Sequence, residues 1–303
     1  MATFFDYLKN IFLIILILQI APPLVRNIIQ QYSKMLEPQT KIGYITIKGF
    51  LCDSQYYVRY LKKFFSNDDI KAILLRIDSP GGAAGSSEAI AHEIDILKKE
   101  HPKPVITLTE NICTSGAYYI ASSTDYIIAA PSTLVGSIGT SIPYQFKIKD
   151  ILEKLDIKYY SITAGKYKNT TDPLVEMTSE KKALLQELAD DSYQNFLQYV
   201  TNNRSQLSLD EADTWANGKI FTGNLAHKHK LIDKLGSLSD AISIIKERAI
   251  VEGEIEWIKP EKSSSLLSLL FGGTNDQTEL HSFSFLTKLM HGLYYAFSPF
   301  CKI

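Results

Sequence analysis

Short runs of β-branched and aromatic residues alternate with amphipathic segments from about residue 41 onward, and this alternation limits the fold more than any other feature of the chain. In residues 86–99, for example, Ile90, Ile94 and Leu97 share one helical face, as in a helix packed on a sheet. The pattern predicts an α/β fold with a mainly parallel sheet. The predicted strands are residues 42–47, 72–77, 105–109, 126–129 and 158–162, and a second long helix is predicted at 179–200.

Residues 11–25 form an uncharged apolar run that is interrupted only by Gln19, Pro22 and Pro23. The run is shorter than the ~20 residues of a usual spanning helix, but apolar residues between positions 4 and 8 can extend it. We expect an N-terminal membrane anchor helix. A cleaved signal peptide and a helix lying in the membrane interface are the alternatives. Because Lys9 precedes the run and Arg26 follows it, charge does not decide its orientation.

The composition divides the chain into three parts. Residues 1–40 are predicted to be the anchor and a linker, residues 41–260 a globular domain, and residues 261–303 a C-terminal tail. The tail is Ser-rich, then Gly-rich, then aromatic. It is interpreted either as an amphipathic segment at the membrane interface or as a packed or poorly ordered end.

Charge and cysteine usage exclude several classes of protein. The net charge is −1, so no bulk basicity indicates a nucleic-acid partner. Cys52, Cys113 and Cys301 lie far apart without the spacing of a zinc site, and no metal or other cofactor is expected. An odd number of cysteines makes a poor disulfide framework, although a single bond remains compatible with an exported chain.

Three short clusters contain residues suited to acyl transfer. Residues 78–82 (DSPGG) follow a strand, and their glycines leave backbone N–H groups open for an oxyanion. Residues 113–121 (CTSGAYYIA) place Ser115 where a helix begins, although an N-cap serine would look the same. Residues 163–169 (TAGKYKN) contain Lys166 and Lys168. A lysine becomes a base only when desolvation favours its neutral form, at a cost of roughly 3 kcal/mol.

The order of the three clusters resembles the signal peptide peptidase A family, a branch of the ClpP/crotonase superfamily. The likeness continues through VGSIG at 135–139, GKIFTG at 218–223 and LIDKLG at 231–236. It implies a ClpP/crotonase-like repeated ββα superhelix over residues 41–260 that acts as a serine endopeptidase. The residues carried over are Ser115 as nucleophile, Lys168 as base, Lys166 as bystander, Ser137 as the group orienting the base, and Gly82 and Gly116 as backbone oxyanion donors.

The resemblance also implies partners and a location. Its substrates are signal peptides and other apolar, membrane-derived peptides. The chain has one copy of the catalytic region, as in the short form of the family, whose active sites require a homo-oligomer. We therefore expect Lys168 to act as the base for Ser115 of a neighbouring subunit. The expected location is a bacterial inner membrane, with a single N-terminal anchor and the catalytic domain on the extracytoplasmic side.

Other functions fit the sequence less well. A ClpP-like Ser/His/Asp protease would need a histidine base, but no histidine occurs between His101 and His227. An acyl-CoA enzyme of the crotonase type would need neither a nucleophilic serine nor an anchor. A catalytically inactive scaffold that binds peptides or membrane proteins would not need both Ser115 and Lys168.

Overall fold

Eight strands form one sheet in the computed structural model, which describes residues 38–142 and 148–261, residue 12, and residues 16–19, 21–23 and 25–26. The strands are β1 (Gln39–Lys48), β2 (Ile70–Ser79), β3 (Val105–Thr114), β4 (Tyr126–Ala129), β5 (Leu134–Gly136), β6 (Ile220–Thr222), β7 (Lys234–Leu235) and β8 (Glu254–Ile258). The sheet order is β6-β5-β3-β2-β1-β8, and β4 pairs with both β3 and β7. Every pairing is parallel except the one between β5 and β6.

Helices cover both faces of this sheet, as a parallel sheet requires. From residue 38 onward, the helices in the described residues are α1 (Gln55–Phe65), α2 (Ala84–Glu100), α3 (Gly116–Ser122), α4 (Lys149–Lys154), α5 (Ser179–Asn203), α6 (Ala212–Trp215), α7 (Gly223–Lys228) and α8 (Leu238–Arg248), with one 3-10 turn at Leu209–Glu211. On one face of the sheet, α1, α2, α3 and α5 share the larger apolar core, and on the other face α8 packs on Ile42, Leu74 and Leu108.

β3 is the central strand beside the candidate site, because it pairs with three other strands of the sheet. Its first half pairs with β4 and its last residues pair with β5, while β2 lies along its other side. In a parallel sheet, the loops that follow neighbouring strands lie at the same edge. The loops after β2, β3 and β5 therefore meet at one edge.

The α/β class and the parallel sheet are confirmed, and so are the strands predicted at 42–47, 72–77, 105–109 and 126–129. The predicted strand at 158–162 is wrong. Its sequence has the alternation of a strand, but Tyr160 and Ile162 are 84% and 102% exposed, and no strand of the described residues lies beside them. A segment with a strand pattern but no neighbouring strand has no partner for its backbone hydrogen bonds, and this segment forms no strand.

Helix α5 confirms the predicted helix at 179–200, but its apolar stripe is buried over only half of its length. Phe196, Leu197 and Val200 lie in the core, whereas Leu188 is exposed. The N-terminal half of α5 therefore extends beyond the core. Residues 148–178, which precede it, also expose apolar side chains: Ile151, Leu155, Ile157, Tyr159, Tyr160, Ile162 and Tyr167.

The predicted anchor and tail fall largely on residues outside the description. Within the described residues, no helix combines the length and the apolarity that crossing a membrane requires. Phe12, Ile17, Leu18 and Val25 are helical and expose their side chains. The tail from residue 262 onward lies wholly outside the described residues.

Candidate active site

Ser115 occupies a strained turn between β3 and α3. Its φ and ψ are 54° and −128°, a backbone conformation that L-residues rarely adopt and that costs about 1–3 kcal/mol. The surrounding backbone fixes it, because the amide of Ser115 donates to the carbonyl of Gly136 (2.8 Å) and its carbonyl accepts from the amide of Tyr119 (3.0 Å). The serine is partly exposed, whereas the helix behind it is buried. The turn therefore presents one hydroxyl at the surface of a rigid core.

Two backbone amides lie close to this serine. A Cβ built on Gly116 would lie 3.5 Å from the amide nitrogen of Gly82, and one built on Gly81 would lie 2.8 Å from both the Gly116 nitrogen and the Ser115 Cβ. Among the hydrogen bonds of the described residues, none is donated by the amide of Gly82 or of Gly116. Fixed donors without a partner, next to a serine, can stabilise the charge that develops on a carbonyl oxygen.

Residues 79–82, which we call the glycine loop, are held from both sides. Leu51 donates its amide to the carbonyl of Gly81 (2.9 Å) and accepts from the amide of Ala83 (2.7 Å). The hydroxyl of Ser79 donates to the carbonyl of Gly49 (2.6 Å) and accepts from the amide of Gly81 (3.1 Å). These bonds fix the direction of the Gly82 amide before any substrate arrives.

Ser137 lies beside Ser115 at the same edge of the sheet. Thr114 and Gly136 are paired residues of β3 and β5, so Ser115 and Ser137 are the first residues beyond paired positions on adjacent parallel strands. Ser137 also has a positive φ of 51°, and its amide donates to the carbonyl of Lys219 (2.7 Å). The structure thus brings Ser115, Ser137, Gly82 and Gly116 to one place.

Within the described residues, no hydrogen bond links the side chain of Lys168 to this group. Lys168 lies exposed in the segment between α4 and α5, and within the described residues its side chain makes no hydrogen bond or ion pair. Lys166 differs, because its ammonium pairs with the carboxylate of Glu180, which also accepts from the hydroxyl of Tyr167. The hydrogen bond to Glu180 raises the pKa of Lys166 and keeps it charged. Lys166 is therefore poorly suited to act as a base.

A buried ion pair behind α3 was missed by sequence reasoning. Arg204, which follows α5, binds Asp233 through two hydrogen bonds of 2.8 and 2.9 Å, and Asp233 also accepts from the amide of Ile127 (2.7 Å). Nearby, the hydroxyl of the buried Tyr118 donates to the carbonyl of Leu231 (2.7 Å). Asp233 lies in the LIDKLG motif, but its partner is 29 residues away, so the motif alone could not reveal the pair.

The chain is similar to known peptidases over most of its length. The model described as peptidase family S49 matches residues 97–252. A Methanocaldococcus jannaschii protein named MJ0651 is 34% identical over 220 residues, which are 72% of this chain and 70% of that protein. Protease 4 of Haemophilus influenzae is 29% identical over 76% of this chain and 39% of its own length. The chloroplastic serine protease SPPA of Arabidopsis thaliana is 34% identical over 72% of this chain and 31% of its own length.

The last two relatives are thus much longer than the region they share with this chain. The family model begins at residue 97, so the glycine loop at residues 79–82 lies outside the residues that it matches. Ser115, Ser137 and Lys168 all lie inside the residues that the model matches. The chain belongs to peptidase family S49, the signal peptide peptidase A family of serine peptidases.

Proposed function

We propose that the chain is a membrane-associated serine endopeptidase that hydrolyses signal peptides or other apolar, membrane-derived peptides. The observation that carries the proposal is the position of Ser115, a partly exposed serine in a strained turn beside the amides of Gly82 and Gly116, which donate no hydrogen bond to the part of the chain that the structure describes. Such an arrangement suits a nucleophile that attacks a carbonyl carbon while the carbonyl oxygen is stabilised.

In the proposed reaction, the Ser115 hydroxyl attacks the peptide carbonyl and its proton passes to the neutral amine of Lys168. The amides of Gly82 and Gly116 donate to the developing oxyanion. Lys168 then protonates the leaving amine, which gives an acyl-enzyme on Ser115. In the second half of the reaction, water attacks the acyl carbon and gives its proton to Lys168, which returns a proton to the Ser115 oxygen as the acid product leaves. The hydroxyl of Ser137 acts as a positioning group that orients the lysine amine.

The lysine of this dyad is proposed to come from a neighbouring subunit of a homo-oligomer. Lys168 is carried by residues 148–178, in which several apolar side chains are exposed in the single chain, with Ile162 fully so. Burying such side chains contributes about 25 cal/mol per Å². Packing this segment on a second copy would cover its apolar surface and desolvate the lysine, which favours its neutral form.

We further propose that the N-terminal run holds the enzyme at a bacterial inner membrane with its catalytic domain on the extracytoplasmic side. Phe12, Ile17, Leu18 and Val25 support this proposal, because they are helical and expose apolar side chains to the surroundings of the protein. A phosphatase that folds only after export, fused after residue 26, tests the orientation. An inactive fusion would mean that the orientation is reversed.

Labelling with a fluorophosphonate probe tests the chemistry. The full chain in detergent is expected to be labelled, Ser115→Ala to lose the label, and Lys168→Ala to lose both labelling and peptide cleavage. Lys166→Ala is the matched control, because it removes another exposed ammonium two positions away, one that is paired with Glu180, and it should retain cleavage. Labelling that persists in Ser115→Ala, or a fully active Lys168→Ala beside an inactive Lys166→Ala, would refute the assigned residues.

A further inference from the structure

The strand that leads to Ser115 changes its neighbours on both sides shortly before the serine. On the side of β2, Thr109 and Cys113 are paired residues, and between these pairs one residue of β2 faces three residues of β3. On the other side, pairing with β4 ends at Thr109 and pairing with β5 begins three residues later. Glu110 and the residue after it therefore have no paired residue in the sheet of the described residues. We call residues 110–112 the β3 bulge.

A charged side chain from β2 reaches this bulge. The guanidinium of Arg76 donates to the carboxylate of Glu110 and to the hydroxyl of Tyr44 on β1 (3.4 Å). The ring of Tyr44 meets the ring of Trp257 on β8 edge-on, with the ring centroids 5.5 Å apart. These contacts run across four adjacent strands of the sheet and end on the β3 bulge. Glu110 is therefore tied to the sheet through its side chain, although its backbone has no paired residue.

The position of the β3 bulge matters because the residues after it face the glycine loop. The hydroxyl of Thr114 donates to the carbonyl of Pro80 (3.1 Å), and Ser115 follows directly. The bulge thus separates the regular first half of β3 from the part that carries the candidate nucleophile.

Burial alone does not fix the register at this point. A shift of two residues keeps every side chain on its original face of the sheet. Such a shift would still move Ser115 by about 7 Å along the strand, at about 3.3 Å for each residue. A specific contact at the bulge excludes the shift, and among the described residues the ion pair that reaches the bulge is the one between Arg76 and Glu110.

We propose that Arg76 and Glu110 are positioning residues, which fix the β3 bulge and thereby set where Ser115 lies relative to the amides of the glycine loop. The inference rests on the proposed function, in which Ser115 is the nucleophile. Both side chains are partly exposed, at 45% and 33%, so the pair itself contributes little to the overall stability. Its loss should therefore change catalysis much more than the stability of the fold.

Kinetics of the full chain in detergent test this role. In Glu110→Ala, kcat for a fluorogenic peptide should fall about tenfold and KM should change less than about twofold, because a small displacement of the nucleophile raises the barrier without removing a substrate contact. Arg76→Glu combined with Glu110→Arg restores the pair with its charges exchanged, and the hydroxyl of Tyr44 can donate to the carboxylate that Arg76→Glu introduces. The combined variant should recover most of the wild-type kcat. An unchanged kcat in Glu110→Ala, a loss confined to KM, or a combined variant as slow as Glu110→Ala would overturn the proposal.

Asp69→Ala is the matched control. It also removes the carboxylate of an exposed ion pair, the one with Lys41 (2.9 Å), but this pair lies at the opposite end of β1 and β2. The control should keep the wild-type kcat. A loss as large as that of Glu110→Ala would show that the effect is not specific to the β3 bulge, and the proposal would fail.

Hydrogen exchange followed by mass spectrometry tests the position without catalysis. In Glu110→Ala, the amides of residues 112–119 should exchange several-fold faster than in the wild type, while those of α1 keep their rate. Unchanged exchange at 112–119, or faster exchange throughout the domain, would contradict the inference. If the wild-type chain cleaved no peptide, the peptidase proposal would fail, and the exchange rates would still decide whether the pair fixes the bulge.

Discussion

Gly82 has no room for a side chain. A Cβ at this position would lie 2.1 Å from the carbonyl oxygen of Leu51, so Gly82→Ala must displace the backbone that aims the proposed oxyanion donor. Loss of one such donor lowers kcat by about 10²–10³-fold. We expect a loss of this size in peptide cleavage, measured with a fluorogenic peptide alongside the thermal unfolding midpoint.

Gly85→Ala is the control for this substitution. Gly85 lies three residues further on, in the first turn of α2, and a Cβ there would meet no atom within 4 Å. Cleavage should stay unchanged in this variant. If Gly82→Ala retained full cleavage with an unchanged unfolding midpoint, the amide of Gly82 could not be an oxyanion donor.

The strained backbone of Ser115 predicts that replacing this residue by glycine stabilises the fold while it abolishes activity. Its φ of 54° favours glycine, which adopts positive φ without the steric cost that a side chain carries. Ser115→Gly should therefore raise the free energy of unfolding by about 1 kcal/mol or more while abolishing cleavage. Ser115→Ala should abolish cleavage without this gain, as compared by urea denaturation. Equal stability of the two variants would mean that the turn is not strained.

At the scale of elements, the ion pair between Arg204 and Asp233 joins the end of α5 to the segment before β7. Both side chains are largely buried, at 6% and 13% exposure. Removing one partner of a buried pair leaves an uncompensated charge and costs about 3–5 kcal/mol. Asp233→Asn should lower the free energy of unfolding by about this amount in urea denaturation.

The exposed pair between Lys41 and Asp69 provides the comparison. Its N–O distance is 2.9 Å, similar to that of the buried pair, but its side chains are 39% and 68% exposed. An exposed pair contributes about 0–1 kcal/mol, so Lys41→Gln should change stability little. A similar loss in both variants would show that burial does not set the energy of the Arg204 pair.

The sequence predicted the elements whose signal is local. β1 to β4 and α2 contain apolar runs or stripes that pack on their own sheet, and the structure confirms them. The predicted strand at 158–162 was wrong because strand propensity describes a side-chain pattern and cannot supply a neighbouring strand. The helix predicted at 179–200 is confirmed as α5, but its sequence could not show that Leu188 is exposed while Phe196 and Val200 are buried, because burial depends on which parts of the chain pack against the helix.

The candidate site was predictable where it depends on strand ends. The glycine loop, Ser115 and Ser137 each follow a strand, and parallel pairing brings such positions together. Their catalytic roles and that of Lys168 stay predictions. The support from Leu51 and Ser79 could not be predicted, because it depends on hydrogen bonds between segments about 30 residues apart.

At the scale of the whole molecule, the position of Lys168 predicts that activity is a property of the assembly. Within one chain Lys168 is exposed and lies in a segment that exposes several apolar side chains, while Ser115 lies at the sheet edge. If the lysine serves a neighbouring serine, Ser115→Ala and Lys168→Ala chains are each inactive alone. Their mixed oligomer then contains interfaces that join an intact Ser115 to an intact Lys168.

Mixing the two inactive variants under conditions that permit subunit exchange should therefore restore part of the peptide cleavage. Random mixing of equal amounts gives one interface in four with both groups intact, so we expect roughly a quarter of the wild-type rate if sites act independently. Affinity tags of two kinds on the variants establish that mixed oligomers form, and Ser115→Ala mixed with itself is the control. Mixed oligomers that cleave no peptide would place Ser115 and its base in the same chain, and residues 148–178 would then have to fold back onto their own sheet edge.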